Sequence, residues 1–370
     1  MRTILYILQK EFIQVFRDKT MMPIIFIIPI VQLIVLSYTA TFEIKNVNLF
    51  IVDQDMSSAS REVAATFKGS PFFTIVDYSA SYDVAEEAVL NNLADQVLQI
   101  PNGFEKGITV DRNATMQLTT NAINGSAASL MNAYALNIIK GYNSNIIVKQ
   151  LGLRYPPDPI KVSAAYWYNP ELDYFTFMVP GILVLLVTVI SAFLSAMNIV
   201  KEKEMGTIEQ INVTPIKKYQ FILGKLIPFW FIALTELAFG LVLAKLIFDI
   251  PMVGSIGLIF FVAGVYLLVA LGLGLLISTL TNTQQQSMFL TFFFMIIFIL
   301  MSGLFTPVQS MPEWAQTMNQ ANPIAYFIDV MRMILLKGSG FQDITRQFFS
   351  LLILAVLLNT LAVWRYRKVV

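Results

Sequence analysis

The sequence predicts an α-helical membrane protein: six transmembrane helices, an N-terminal amphipathic interfacial helix, and one inserted α/β extracytoplasmic domain. Three observations predict it. Apolar residues fill 56% of the 370 positions and charged residues 13%, with a mean hydropathy of +0.66. Soluble chains carry about 25% charge, so this chain cannot cover itself with polar surface in water. Six apolar stretches approach or exceed the roughly 20 residues that cross a bilayer. A single long polar insertion separates the first stretch from the second.

Residues 1–20 form the interfacial helix. Ile4, Leu5, Ile7, Leu8, Phe12, Val15 and Phe16 recur at helical spacing, opposite Arg2, Gln9, Lys10, Glu11, Gln14, Arg17 and Asp18. Such a pattern lies in the plane of the membrane surface. Residues 21–42 are the first span, free of charge between Lys19 and Glu43. This stretch starts too far from the N-terminus to be a cleaved signal. The remaining spans run over 174–200, 221–248, 254–280, 287–305 and 348–364.

The insertion, 43–173, alternates strands with helices. Val47–Val52 is a strand ending at Asp53 and Asp55, and Ser57 or Ser58 caps a helix reaching Phe67. Phe73–Val76, Gln96–Ile100 and Ala114–Thr120 read as further strands, and Tyr82–Leu93 and Gly125–Gln150 as helices. That alternation is the pattern of an α/β domain. Asp53, Asp55 and Asp77 lack the glycine and distal glutamate of a calcium loop, so they read as turn caps and no metal site is assigned.

Orientation follows from the basic residues near span ends. Arg2, Lys10, Arg17 and Lys19 precede the first span. Lys201, Lys203, Lys217, Lys218 and Lys225 lie between the second and third, and Arg365, Arg367 and Lys368 follow the last. With six spans all three clusters fall on one face, which the positive-inside rule makes cytoplasmic. Both termini are then cytoplasmic and the insertion lies outside. Residues 306–340, broken by Pro307, Pro312 and Pro323, read as an external re-entrant segment of short helices, with Trp314 at the interface.

Composition excludes much chemistry. There is no His and no Cys, which removes disulfides, thiolates, histidine metal sites and Ser-His-Asp triads. A net charge of +1 gives no pull toward nucleic acid. There is no phosphate-loop motif: Gly224-Lys225 lacks the upstream glycine and is followed by Leu226. No catalytic, cofactor or metal-binding residue is assigned, and the chain reads as a non-enzyme. Glu236, near the middle of the third span, is a functional candidate by its depth, or else a carboxyl neutralised between helices. Gln32, Ser191, Ser195 and Asn198 are weaker candidates for a polar translocation path, since small polar residues also pack helices. The spans are otherwise apolar, which fits a drug, a lipid or another amphiphile better than a small ion.

The loop over 201–220 stands out. Lys201-Glu202-Lys203-Glu204 ends the second span, Gly206 permits a turn, and Thr207 with Gln210 makes a capping box. Ile208, Ile211 and Val213 supply an apolar side, and Pro215 ends the helix. Glu202, Glu204 and Glu209 are charges suited to orienting a docked partner.

Five stretches together carry a family resemblance. They are Val52–Arg61; Gln99–Phe104; Lys201–Pro215 with Leu223-Gly224-Lys225; Ser302–Pro307 with Met311–Trp314; and Asn322-Pro323-Ile324 with Arg332–Gly338. In this order they resemble the integral membrane (permease) subunit of a type 2 ABC transporter, of the exporter branch with a large domain between the first two spans. Met205 departs from that pattern, where a basic residue is usual, and Ile211 stands where Leu is common. The resemblance implies an efflux system in a bacterial cytoplasmic (inner) membrane. It implies a dimer with a second permease subunit, the same or similar chain, forming the path. It further implies a separate cytoplasmic ABC ATPase dimer that binds the ATP, a coupling helix over Gly206–Pro215 docked on it, and residues 1–20 as a connecting helix. A periplasmic adaptor is a further partner within its scope. The competing expectation is an ion-coupled secondary transporter using Glu236. That class usually carries internal repeats, and no repeat relates the two halves of this sequence.

Overall fold

Residue by residue, the computed structural model describes 2–17, 21–39, 46–111, 113–151, 167–171, 173–207 and 216–365. The amphipathic stretch is helix α1, Arg2–Arg17, and the first apolar stretch is α2, Met21–Thr39, with Pro29 inside it. The chain divides into two units, 42–164 and the remainder.

The smaller unit is built on β1 (Val47–Asp53), α3 (Ser58–Lys68), β2 (Phe73–Ser79), α4 (Tyr82–Leu90), β3 (Gln96–Ile100), a single turn α5 (Phe104–Lys106), β4 (Gln117–Thr120) and α6 (Gly125–Leu151). The sheet order is β2-β1-β3-β4. β1 pairs in parallel with β2 and β3, and β3 pairs antiparallel with β4. Alternate residues of β1 serve opposite faces. Leu49 and Ile51 pack with Val63, Phe67 and Met131 under α3 and α6, while Phe50 and Val52 pack with Ala85 and Ala88 of α4. The cap of α3 is Ser57, whose side chain accepts from the Ser60 amide. Asp53 accepts from the amides of Asp55 and Met56 and from the Ser60 hydroxyl. Asp55 accepts from the amides of Gly103, Phe104 and Glu105 at 2.7, 3.1 and 3.0 Å, joining the end of β1 to the start of α5. α4 stops at Leu90, short of Leu93, because Asn92 takes a left-handed φ of 56°. β4 begins at Gln117 rather than Ala114. The π-turn over Gly107–Asp111 has no counterpart in the sequence reading.

The larger unit continues with α7 (Tyr174–Glu204), α8 (Lys218–Phe248), α9 (Ile256–Leu280), α10 (Gln284–Leu300), α11 (Glu313–Asn319), α12 (Pro323–Lys337) and α13 (Thr345–Arg365). Asp173, Ser255, Thr283 and Asn322 cap α7, α9, α10 and α12 by accepting amides of the first turn. α7 lies at the centre and packs against α2, α8, α9, α10 and α12. Its sequence suits that place, because it is apolar on every side and carries small residues where neighbours come close. Opposite Ala192 and Ala196, a Cβ on Gly274 would stand 2.4 Å from the Ala192 carbonyl oxygen, so α9 lies against α7 backbone to backbone. Four of the expected spans, α7, α8, α9 and α13, are long and apolar enough to cross a membrane. The other two positions hold shorter apolar helices, Ile25–Thr39 and Gln284–Leu300. α10 ends at Leu300 rather than residue 305: Met301 caps it and Gly303 turns the chain with φ 80°. Across 306–340 lie a 3₁₀ turn (Val308–Ser310), α11 and α12. α12 packs on α7, α9, α10 and α13 and buries Phe327, Met331 and Ile334, so it belongs to the bundle core.

Candidate functional site

The charged end of α7 is a junction. Glu202 Oε1 lies 2.7 Å from Lys225 Nζ of α8 and 3.0 Å from Lys10 Nζ of α1. Lys225 also lies 2.9 Å from Glu11 Oε1, and Asn198 Nδ2 donates to Glu11 Oε2 at 3.2 Å. The Thr207 hydroxyl donates to the second Glu202 oxygen. The side chains of Glu11, Glu202 and Lys225 are 0, 4 and 2% exposed, while Lys10 is half-exposed. Two cations and two anions balance here, and buried charges persist only when paired and hydrogen-bonded in this way. Burial works against the charge on Lys10, yet the Glu202 and Glu11 carboxylates hold its pKa above the ordinary lysine value. The geometry depends on how closely α1 lies on α8. A Cβ on Gly224 would stand 2.5 Å from the Ile7 side chain.

The neighbouring charges reach two more helices. Lys203 Nζ donates to the carbonyls of Ser278 and Thr281 at 2.5 and 2.9 Å, closing the C-terminal end of α9. Glu204 accepts from the Gln284 backbone amide at 2.8 Å and from its side chain, at the N-terminal end of α10. Three successive side chains thus bind four helices. Glu202 and Glu204 were expected to face a docked partner; Glu202 is buried and paired within the chain, whereas Glu204 is exposed and also holds Gln284. Gly206 makes the turn with φ 70°. Ile208, Glu209, Ile211 and Pro215, the rest of the expected coupling helix, lie outside the described residues.

Glu11, Lys10 and Lys225 were not expected from the sequence to meet in a buried ionic site. A signal was present, because Ile4, Ile7, Leu8, Glu11 and Val15 share one helical stripe. Glu11 therefore sits in phase with the apolar residues and not opposite them, and a charge on that stripe needs a buried partner.

Glu236 is 9% exposed and neither carboxylate oxygen has a hydrogen-bond partner. It lines a cavity of about 120 Å³ between α2, α7 and α8, with Pro29, Leu186 and Phe239 among its walls. Gln32 and Asn198 lie elsewhere, together lining a cavity of about 340 Å³ with Lys201 and Gln284. Ser191 donates to the Val187 carbonyl of its own helix at 2.6 Å, and Ser195 donates to the Leu271 carbonyl of α9 at 2.8 Å. Both hydroxyls therefore serve helix backbones. Among the described residues no group of acidic side chains is arranged to hold a metal ion.

The pattern of the ABC-2 family transporter proteins matches residues 19–364. The chain is 28% identical over 362 residues to the probable multidrug ABC transporter permease YbhR of Escherichia coli (strain K12), covering 98% of this chain and 97% of that protein. It is 27% identical over 338 residues to the probable multidrug ABC transporter permease YbhS of the same organism, covering 89% and 87%. It is 25% identical over 329 residues to the inner membrane transport permease YhhJ, also from that strain, covering 86% and 85%.

Proposed function

Because the chain belongs to the ABC-2 family of transporter proteins, we propose that it is the membrane-spanning permease subunit of an ATP-driven exporter in a bacterial inner membrane. It crosses the membrane six times, with both termini in the cytoplasm and the 42–164 unit outside. Two copies, or this chain and a similar one, form the translocation path. A separate cytoplasmic ATPase dimer supplies the energy, and the exported molecule is a drug, a lipid or another amphiphile.

One observation carries the coupling part of this reading: the junction that fastens the end of α7 to α1, α8, α9 and α10. The turn at Gly206 leads straight from that junction into the segment 207–215. A push on that segment is delivered to five helices at once, and the balanced ionic contacts give the junction the stiffness to pass it on. The ion-coupled alternative draws only on Glu236 and gives the junction no task.

The test is purification. Wild-type chain should bring down vanadate-sensitive ATP hydrolysis. Ile211→Asp places a carboxylate on the apolar side of 207–215, and burying it unpaired against a partner costs about 1–3 kcal/mol or more. That variant should insert and dimerise normally but lose the ATPase. If it retains the ATPase and exports normally, the segment is a plain connector.

A further inference from the structure

The Glu236 carboxylate has two unpaired oxygens in an apolar cavity, and this is the least satisfied charge-bearing group among the described residues. Buried polar atoms are nearly always hydrogen-bonded, so the orphaned pair asks for a partner that none of the described residues provides. The walls hold no donor for it. Thr235, the other polar lining residue, donates to the Phe231 carbonyl at 2.9 Å. None of the other lining residues is titratable or charged, on α2, on α7 or on α8 itself. Water is a poor occupant, since it needs two to four polar partners to settle in such a space.

The shape narrows the chemistry further. At about 120 Å³ the cavity is well below the size that takes in a whole drug-sized molecule, so it admits a head and not a body. Phe26 and Phe239 line it and remain 39 and 47% exposed, offering aromatic faces of the kind that attract cations. Pro29 has no amide to give the Ile25 carbonyl one turn earlier, and both residues line the cavity.

We propose that the cavity between α2, α7 and α8 is a recognition site for the ammonium head of a lipophilic cation, with Glu236 as the pairing carboxylate and the apolar body of the ligand lying along the exposed faces of α2 and α8. The site deepens the permease reading by assigning a substrate class, and it rests on that reading only for the claim that the bound cation is cargo.

The experiment needs no ATPase. Full-length chain in lipid nanodiscs is titrated with trimethylammonium-diphenylhexatriene, a lipophilic cation with a compact ammonium head, and with diphenylhexatriene, its uncharged parent, with empty nanodiscs as blank. Glu236→Gln keeps the shape and removes the charge. It should weaken binding of the cation by about tenfold or more and leave the uncharged parent unchanged. Glu236→Asp should fall between. Leu186→Phe fills the cavity with the carboxylate intact and should also weaken the cation. If Glu236→Gln and Leu186→Phe both bind the cation within about twofold of wild type, the proposal is overturned. That result would leave the permease reading standing, because ATPase co-purification decides it separately.

Discussion

At the scale of single residues, Lys225 is the keystone of the buried ionic junction. It serves Glu11 and Glu202 together, and both are nearly fully buried. Lys225→Met leaves two carboxylates facing the half-exposed Lys10 alone. Removing one partner of a buried ion pair costs about 3–5 kcal/mol, and thermal unfolding of the full chain in nanodiscs should read a loss of that order. Adding Glu11→Gln restores neutrality and should recover much of it, so the two changes should not be additive. A second residue-scale prediction concerns Asp55. The Ser57 hydroxyl foremost, with the amides of Glu105, Gly103 and Phe104, holds its carboxyl below the ordinary aspartate range against the opposing effect of desolvation. A carboxyl with a depressed pKa stabilises the fold above its unfolded value and loses that contribution as pH falls through the folded one. The fragment 46–160 should therefore lose stability on acidification below about pH 4, and Asp55→Asn should flatten that loss in a pH series of melts. The turn-capping role of Asp53 and Asp55 was legible from their place after a strand. The ionic junction was not, because its members come from three helices far apart in sequence and only Glu11 carries a local mark of burial.

At the scale of elements, apolar runs and cap residues locate the helices, while their ends are decided by single backbone conformations that hydropathy does not register. α10 and α4 both finish early for that reason, at Gly303 and Asn92. Packing distances are equally hidden, since a glycine in an apolar run looks like any other small residue. Gly274 is one where the contact matters. Its neighbour is the Ala192 carbonyl of α7, which cannot swing aside as a side chain can. Gly274→Ala should part α7 from α9 and cost about 1–3 kcal/mol, read as a lowered melting temperature of the full chain. The inserted unit has its own two-sided core around β1, so the fragment 46–160 alone should give a mixed α/β circular dichroism spectrum and a cooperative melt. An unfolded fragment would mean that the unit orders only against the rest of the chain.

At the scale of the whole molecule, the family and the order of the apolar segments were legible because both are spread along the entire chain. Orientation rests on the basic clusters, and a chain without cysteine makes it directly measurable. Ile123, 90% exposed in the inserted unit, should react as Ile123→Cys with an impermeant maleimide in intact cells, and Lys217→Cys should react only after lysis. The reverse pattern would invert the topology. The ionic junction also bears on the making of the molecule. Lys10 and Glu202 are 192 residues apart, and Lys225 lies further along still. At roughly 5–20 residues per second, α1 waits about 10–40 s on the ribosome before its countercharges exist. Throughout that interval Glu11 has no buried partner, so α1 must remain at the wet surface of the bilayer. α1 is synthesised before α7 and α8 and is locked only once both are present, so its docking reports that they have been inserted in the right orientation.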